Sequence, residues 1–159
     1  MIMNGENKKF SVLSGTALKL FAAVFMAVDH VGYMFFPKLI RIRMIGRVSL
    51  PIFAFCIAEG FAHTGSKWRY LGRMLLFALV SELPFDLAFF GKWYWKYQNV
   101  MFSFALAILA LYAFEKGREK GTRWSWALGI AGAAGCAWAA SALHTDYGWY
   151  AVGLVLVFY

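Results

Sequence analysis

Charge is scarce in this sequence. Asp, Glu, Lys and Arg make up 15% of its 159 residues, well below the roughly 25% of soluble domains. Apolar residues make up 62% and aromatics 19%. So little charge cannot cover the surface of a water-soluble domain of this length, and a bilayer is the solvent that fits. Acidic residues are scarcer than basic ones, 8 against 16, for a net charge of +8. In a soluble chain that balance would suggest nucleic acid. Here the Lys and Arg sit mostly in gaps between apolar runs, where topology and phospholipid headgroups account for them. Nucleic acid is therefore set aside as a partner in favour of membrane lipid. Cysteine is scarce too. Cys56 and Cys136 both lie inside apolar runs, as small core residues rather than a disulfide. No secretory signal is expected, because the first apolar run is too long for an h-region and no small-residue cleavage site ends it.

What is there is a series of apolar runs. At roughly 20 residues per span there is room for about six transmembrane helices with short loops. The expectation is one all-α polytopic bundle over residues 1–159, with residues 1–12 a short polar N-terminal segment. The runs are Ser14–Phe36, stopped by Pro37; Ile42–Ala62, with Pro51 inside; Tyr70–Phe90, with Pro84 inside; Gln98–Phe114; Trp124–Leu143; and a sixth from Tyr147. A charged stretch, Glu115–Arg123, reads as a solvated loop. The fifth run is rich in Gly and Ala, which suits close helix packing. From Tyr147 to Tyr159 there are 13 residues, too few to cross a bilayer. The chain is still apolar where it stops, so the expectation is a fragment of a longer protein.

Orientation follows from Lys and Arg. The side holding the N-terminus, Lys67–Arg73 and Lys116–Arg123 carries ten of them; the opposite side carries six. That places the N-terminus in the cytoplasm. The first outer loop is itself basic, with Lys38, Arg41, Arg43 and Arg47, and its arginines invite another explanation.

Ionisable groups within spans cost about 2.5–3.5 kcal/mol each on insertion scales, and are kept where they pair, line a cavity or do chemistry. With the N-terminus inside, Asp29, His30, Arg47, Glu82, Asp86, Asn99 and Asp146 all fall in the outer half of the membrane and are expected to converge on one polar pocket. Glu59 lies 12 residues from Arg47, about 18 Å along a helix, and so belongs to the cytoplasmic half; His63 is one turn further on the same face. Several of these have structural readings. Asp29 can simply neutralise Arg47 in a buried ion pair, His30 can be a hydrogen-bonded core histidine, and Glu82 and Asp86 can face water at a kinked helix end. Glu59 and His63 read as a structural or interfacial pair; no third His or Cys has the spacing of a metal site, so no metal is expected. Trp93, Tyr94, Trp95 and Tyr97 read as an interfacial belt.

The functional reading uses the same residues. A carboxylate can fix the tautomer of a neutral imidazole, and His30 could then take a proton from an incoming amine or hydroxyl. Adjacent helix residues point about 100° apart, so the partner of His30 is Asp29 or else Glu82, Asp86 or Asp146. Guanidinium forks match phosphate oxygens, so Arg47, with Arg43 and Asn99, could hold a phosphate-bearing donor. No Gly-rich phosphate loop, nucleophile elbow or dinucleotide fingerprint is present. Spacing alone yields an intramembrane polar site without a reaction.

An ordered series of motifs goes further: DHVG at Asp29–Gly32, IGRVSLPIFAF at Ile45–Phe55, EGFAHT at Glu59–Thr64, FALVSELPFDLAFF at Phe77–Phe90, QNVMF at Gln98–Phe102 and DYGWY at Asp146–Tyr150. In these the chain resembles the TraX family, whose named member is the conjugative pilin acetylase; the resemblance runs from about Leu18 to Tyr159. It implies a multispanning bacterial inner-membrane protein that moves acetyl from acetyl-CoA to an acceptor outside, such as the N-terminal amine of pilin or a hydroxyl. The working mechanism has His30 as general base, a nearby carboxylate orienting it, and Arg47 stabilising the donor or the oxyanion. Direct transfer is expected, since no activated Ser or Cys is visible. The competing reading is a small transporter or scaffold, because buried Asp, Glu and His also make proton relays.

Overall fold

The computed structural model describes residues 15–36, 38 and 40–159. The N-terminal segment, Lys8, Lys9 and the Pro37 stop lie outside the described residues. Those that are described form helices only: α1 (Gly15–Phe35), α2 (Ile40–Gly46), α3 (Ser49–His63), α4 (Lys67–Phe90), α5 (Val100–Glu119), α6 (Arg123–Ala142) and α7 (Gly148–Phe158). The expected all-α architecture is present, and each apolar run has a helical counterpart. Three stretches are long and apolar enough to cross a membrane by length and composition: Gly15–Phe35, Met44–His63 and Val100–Glu119. The helices α4 and α6 are as long, at 24 and 20 residues, but α4 carries Lys67, Arg69, Arg73, Glu82 and Asp86. Its outward side is nonetheless apolar: Leu76, Leu79 and Val80 are each exposed by 60% or more, a surface that suits lipid.

Two boundaries differ from the sequence expectation, each for a local reason. The second run is broken at Arg47–Val48, where the chain turns between α2 and α3. A continuous helix would set the Pro51 ring against the carbonyl of Arg47, a clash that kinks or breaks a helix interior and is absent in a first turn. Starting α3 at Ser49 puts Pro51 there. The Glu115–Arg123 stretch is mostly helix, not loop, since α5 runs to Glu119. Lys116 and Glu119, 2.6 Å apart, pair one turn apart, and Lys116 and Arg118 complement the helix C-terminus. Gly121, at φ 66°, turns the chain out. Thr122 then caps α6, its hydroxyl accepting from the Ser125 N–H while the Ser125 hydroxyl accepts from the Thr122 N–H.

The chain divides between Phe53 and Ala54 into two compact units. In the first, α1 packs on α2, and Gly46 is the close-approach residue: a side-chain carbon there would overlap the backbone and Cβ of Asp29. In the second, α5 is the central helix, packed on α4, α6 and α7. It buries Phe104, Ile108 and Leu111 with a series of alanines, as expected of a helix that is apolar on all sides. Gly117 and Gly129 let α5 and α6 approach backbone to backbone. A Cβ on Gly117 would stand 2.7 Å from the Gly129 Cα, so a larger residue would force the helices apart. One end of this unit is fastened by Lys67, which donates to the Phe61 carbonyl at 2.6 Å and lies 3.5 Å from Glu115; the Tyr159 hydroxyl donates to the same Glu115 at 3.2 Å.

Candidate functional site

In the second unit the polar residues gather where α4 ends and α5 begins. Asn99 is the N-cap of α5, its side-chain oxygen accepting from the Met101 N–H at 2.9 Å. That leaves its amide NH2 to point back at α4, where it donates to Glu82 Oε2 at 2.6 Å and to the Ala78 carbonyl at 2.9 Å. The Asn99 backbone N–H donates to the same Glu82 oxygen at 3.0 Å. Glu82 and Asn99 are both buried, so a buried carboxylate is met by two donors of one residue, as burial of a charged group requires. One turn further along α4, Asp86 is fully buried. Its Oδ2 accepts from the Tyr94 N–H at 2.9 Å, while Oδ1 is buried with no hydrogen bond among the described residues. The reading of Glu82 and Asp86 as water-facing carboxylates is thereby replaced: both point inward.

The loops beyond are tied together. Gln98 N–H donates to the His144 carbonyl and Asp146 N–H to the Gln98 carbonyl, at 3.3 and 2.8 Å, a short parallel bridge between Gln98 and Thr145. The Asp146 carboxylate accepts from the Tyr97 hydroxyl at 2.9 Å, and the Asp146 carbonyl from Ser103 at 2.5 Å. His144 and Tyr147 hold positive φ angles of 52° and 62°, conformations that cost about 1–3 kcal/mol each and concentrate near functional sites. These loops border an open cleft of about 600 Å³ lined by Phe90, Tyr94, Trp95, Tyr97, Gln98 and His144 among others. Gln98 Oε1 is a further buried acceptor with no hydrogen bond among the described residues.

Glu82, Asp86, Asn99 and Asp146, four of the residues expected to converge, thus belong to one end of the second unit. Sequence reasoning missed His144, Gln98 and the role of the aromatics as cleft walls. Gln98 and His144 lie in and beside the QN and DYG motifs, which the backbone bridge brings together. Glu59 and His63, 3.6 Å apart, are an exposed pair one turn apart on α3, as the structural reading has it. Among the described residues no three His, Cys, Asp or Glu side chains gather in a metal-binding group.

The first unit holds Asp29, His30, Arg43 and Arg47. His30 Nδ1 lies 2.7 Å from the Met26 carbonyl; a carbonyl only accepts, so Nδ1 carries the hydrogen and a neutral ring has its lone pair on Nε2. The backbone therefore sets the tautomer at Nδ1, a role first given to a carboxylate. Asp29 is half-buried, with Oδ1 buried and without a hydrogen bond among the described residues. The Asp29–Arg47 ion pair is not found there; Arg47 is exposed on the turn between α2 and α3, because Pro51 moves it out of the helix. Arg43 is on α2, and its side chain lies outside the described residues.

Three stretches long and apolar enough to cross a membrane, together with α4, whose outward side is apolar and whose Glu82 and Asp86 are buried, define an all-α membrane protein with a buried polar cluster. The TraX protein family model matches residues 14–159, and the chain belongs to the TraX family. It is 34% identical over 115 residues to a probable fimbrial assembly protein FimC, serogroup H1, of Dichelobacter nodosus, covering 62% of this chain and 45% of that one. It is 39% identical over 44 residues to an uncharacterized protein of Rickettsia prowazekii (strain Madrid E), covering 28% and 18%. The chain therefore spans less than half the length of these curated relatives. No solved structure matches it.

Proposed function

We propose that the protein is an inner-membrane acetyltransferase that takes acetyl from acetyl-CoA and places it on an amine or hydroxyl acceptor at the outer face, the acceptor being a pilin or another surface-presented molecule. The observation that carries this reading is Asp86: a fully buried carboxylate, one oxygen of which has no hydrogen bond among the described residues, while the other accepts from the backbone of Tyr94, a wall of the aromatic cleft. A cleft walled by aromatics, with a few polar groups such as Gln98 and His144, suits an acceptor that brings N–H or O–H donors into a largely apolar site. The fimbrial name of the Dichelobacter relative supports a pilus-related acceptor.

In the proposed reaction the acceptor nitrogen or oxygen attacks the thioester carbonyl. The new N–C or O–C bond forms, the C–S bond breaks, and the acceptor's proton passes through a general base to the departing CoA thiolate. His30 is the proposed base, since its set tautomer keeps Nε2 basic. Within the second unit Asp86 fixes the Tyr94 wall of the cleft proposed to receive the acceptor, and Glu82 with Asn99 keeps that end of α4 fixed. Acetyl-CoA would supply only the acyl group; no metal is invoked. Full-length protein in detergent should release CoA thiol from acetyl-CoA only when a membrane acceptor is present. Acceptor-independent release, or none at all, would count against acetyl transfer and favour the transporter or scaffold.

The cytoplasmic N-terminus rests on the ten-to-six Lys and Arg count, and places the α5–α6 turn in the cytoplasm as well. Lys120, exposed in that turn, provides the test. In intact cells Lys120→Cys should gain no labelling by a membrane-impermeant thiol reagent over the parent, which carries only Cys56 and Cys136; strong labelling would invert the topology.

A further inference from the structure

The end of α4 away from Glu82 and Asp86 borders a second cleft, of about 400 Å³, lined by Thr64, Gly65, Ser66, Arg69 and Arg73. Arg69 and Arg73 are four residues apart on α4 and so share a face. Both are exposed, and among the described residues neither has a carboxylate within ion-pair distance. The acids that could neutralise them are engaged elsewhere: Glu59 with His63, Glu115 with Lys67 and Tyr159, and Glu119 with Lys116. The Arg73 guanidinium rests 6.0 Å from the Tyr70 ring centre, which steadies it without neutralising it. Ser66 Oγ accepts from the Arg69 N–H at 3.4 Å and keeps its own proton to donate. The lining of this open cleft is thus rich in donors, with two cations that have no ion-pair partner among the described residues and a hydroxyl.

Paired guanidiniums of this kind match the oxygens of a phosphate group. We infer that this cleft binds the phosphates at the nucleotide end of the acyl-CoA donor. The inference rests on the acetyl-transfer reading and adds the donor's anchoring site to it, which the sequence placed instead at Arg47, Arg43 and Asn99. Geometry supports it. From Arg73 to Glu82 is nine residues of one helix, about 14 Å of rise. A pantetheine arm has about the reach of five extended residues, roughly 17 Å, so a donor held by Arg69 and Arg73 could carry its thioester to the level of the buried carboxylates. An anionic lipid headgroup offers the same phosphate chemistry, and the experiment separates the two.

Full-length protein in zwitterionic-lipid nanodiscs is titrated with acetyl-CoA and with 3′,5′-ADP, which is the nucleotide end alone. The expected result is competition between the two, with Arg69→Gln/Arg73→Gln weakening both by about ten-fold or more, as loss of charge-assisted bonds requires. Transfer from acetyl-pantetheine, which lacks the nucleotide, should be the same in wild type and variant, and this also shows that the variant is folded. Arg69→Lys/Arg73→Lys keeps the charges and should bind better than the Gln pair. Unchanged acetyl-CoA affinity in the Gln pair would overturn the inference. So would arginine-dependent binding to anionic vesicles without binding to 3′,5′-ADP, which would make the occupant a lipid. Arginine-dependent binding of 3′,5′-ADP by a protein that transfers no acetyl would keep the phosphate site and remove the acetyl-transfer reading.

Discussion

His30→Gln is expected to lower the rate of acetyl transfer by about 10²–10⁴-fold, the usual loss for a positioned general base. The ring is well placed for that role in one respect that can be stated atom by atom. Nδ1 is committed to the Met26 carbonyl at 2.7 Å, so the lone pair of the neutral ring is on Nε2. Glutamine retains hydrogen-bonding capacity but takes up no proton at neutral pH. The half-buried setting of His30 on α1 should tolerate the exchange, so expression and detergent stability stay near those of the wild type. A variant that keeps more than about a tenth of the rate, less loss than a general base explains, would make His30 a packing residue.

The second large effect is expected at Asp86. Asp86→Asn preserves shape, and its carbonyl can still accept from the Tyr94 N–H. What changes is the other oxygen, buried and without a hydrogen bond among the described residues, which becomes an amide NH2, and with it the charge behind the bond to Tyr94. A hydrogen bond to a charged group contributes about 1.5–3 kcal/mol, so acceptor use should fall by roughly 10- to 150-fold, read as a rise in the acceptor KM. Acetyl-CoA affinity should not move, because the proposed donor anchor is at the other end of α4. Equal losses for donor and acceptor would mean that the substitution disturbs the fold around Tyr94 rather than acceptor binding.

The helical architecture and its breaks were legible to different degrees. The apolar runs marked the helices within a few residues, and three stretches are long and apolar enough to cross a membrane, because lipid imposes a long unbroken apolar stretch on whatever crosses it. Pro51 was visible in the sequence, yet its consequence, the turn at Arg47 and Val48, depends on which carbonyl the ring would strike. That turn leaves Arg47 exposed rather than within a helix. The helical course of Glu115–Glu119 was hidden by its charge, since a charged stretch reads as loop unless its i,i+3 pairing and the glycine at 121 are weighed together. The inward direction of Glu82 and Asp86 followed from the cost of charge in lipid. The partners did not: Asn99 reaches Glu82 across 17 residues of sequence, and the Gln98–Thr145 bridge joins two loops that no local periodicity connects. His144 and the aromatic cleft walls went unread for the same reason, and Trp95 and Tyr97 look alike in sequence whether they face headgroups or a ligand.

The central claim, acetyl transfer across the membrane, is tested most directly with inside-out vesicles containing the full-length protein, supplied with acetyl-labelled acetyl-CoA at the exposed cytoplasmic face. Label should appear on an acceptor protected inside the vesicle lumen, at a rate that His30→Gln abolishes. Label that never leaves acetyl-CoA, or that reaches acceptors equally well with His30→Gln and Asp86→Asn together, would contradict the account.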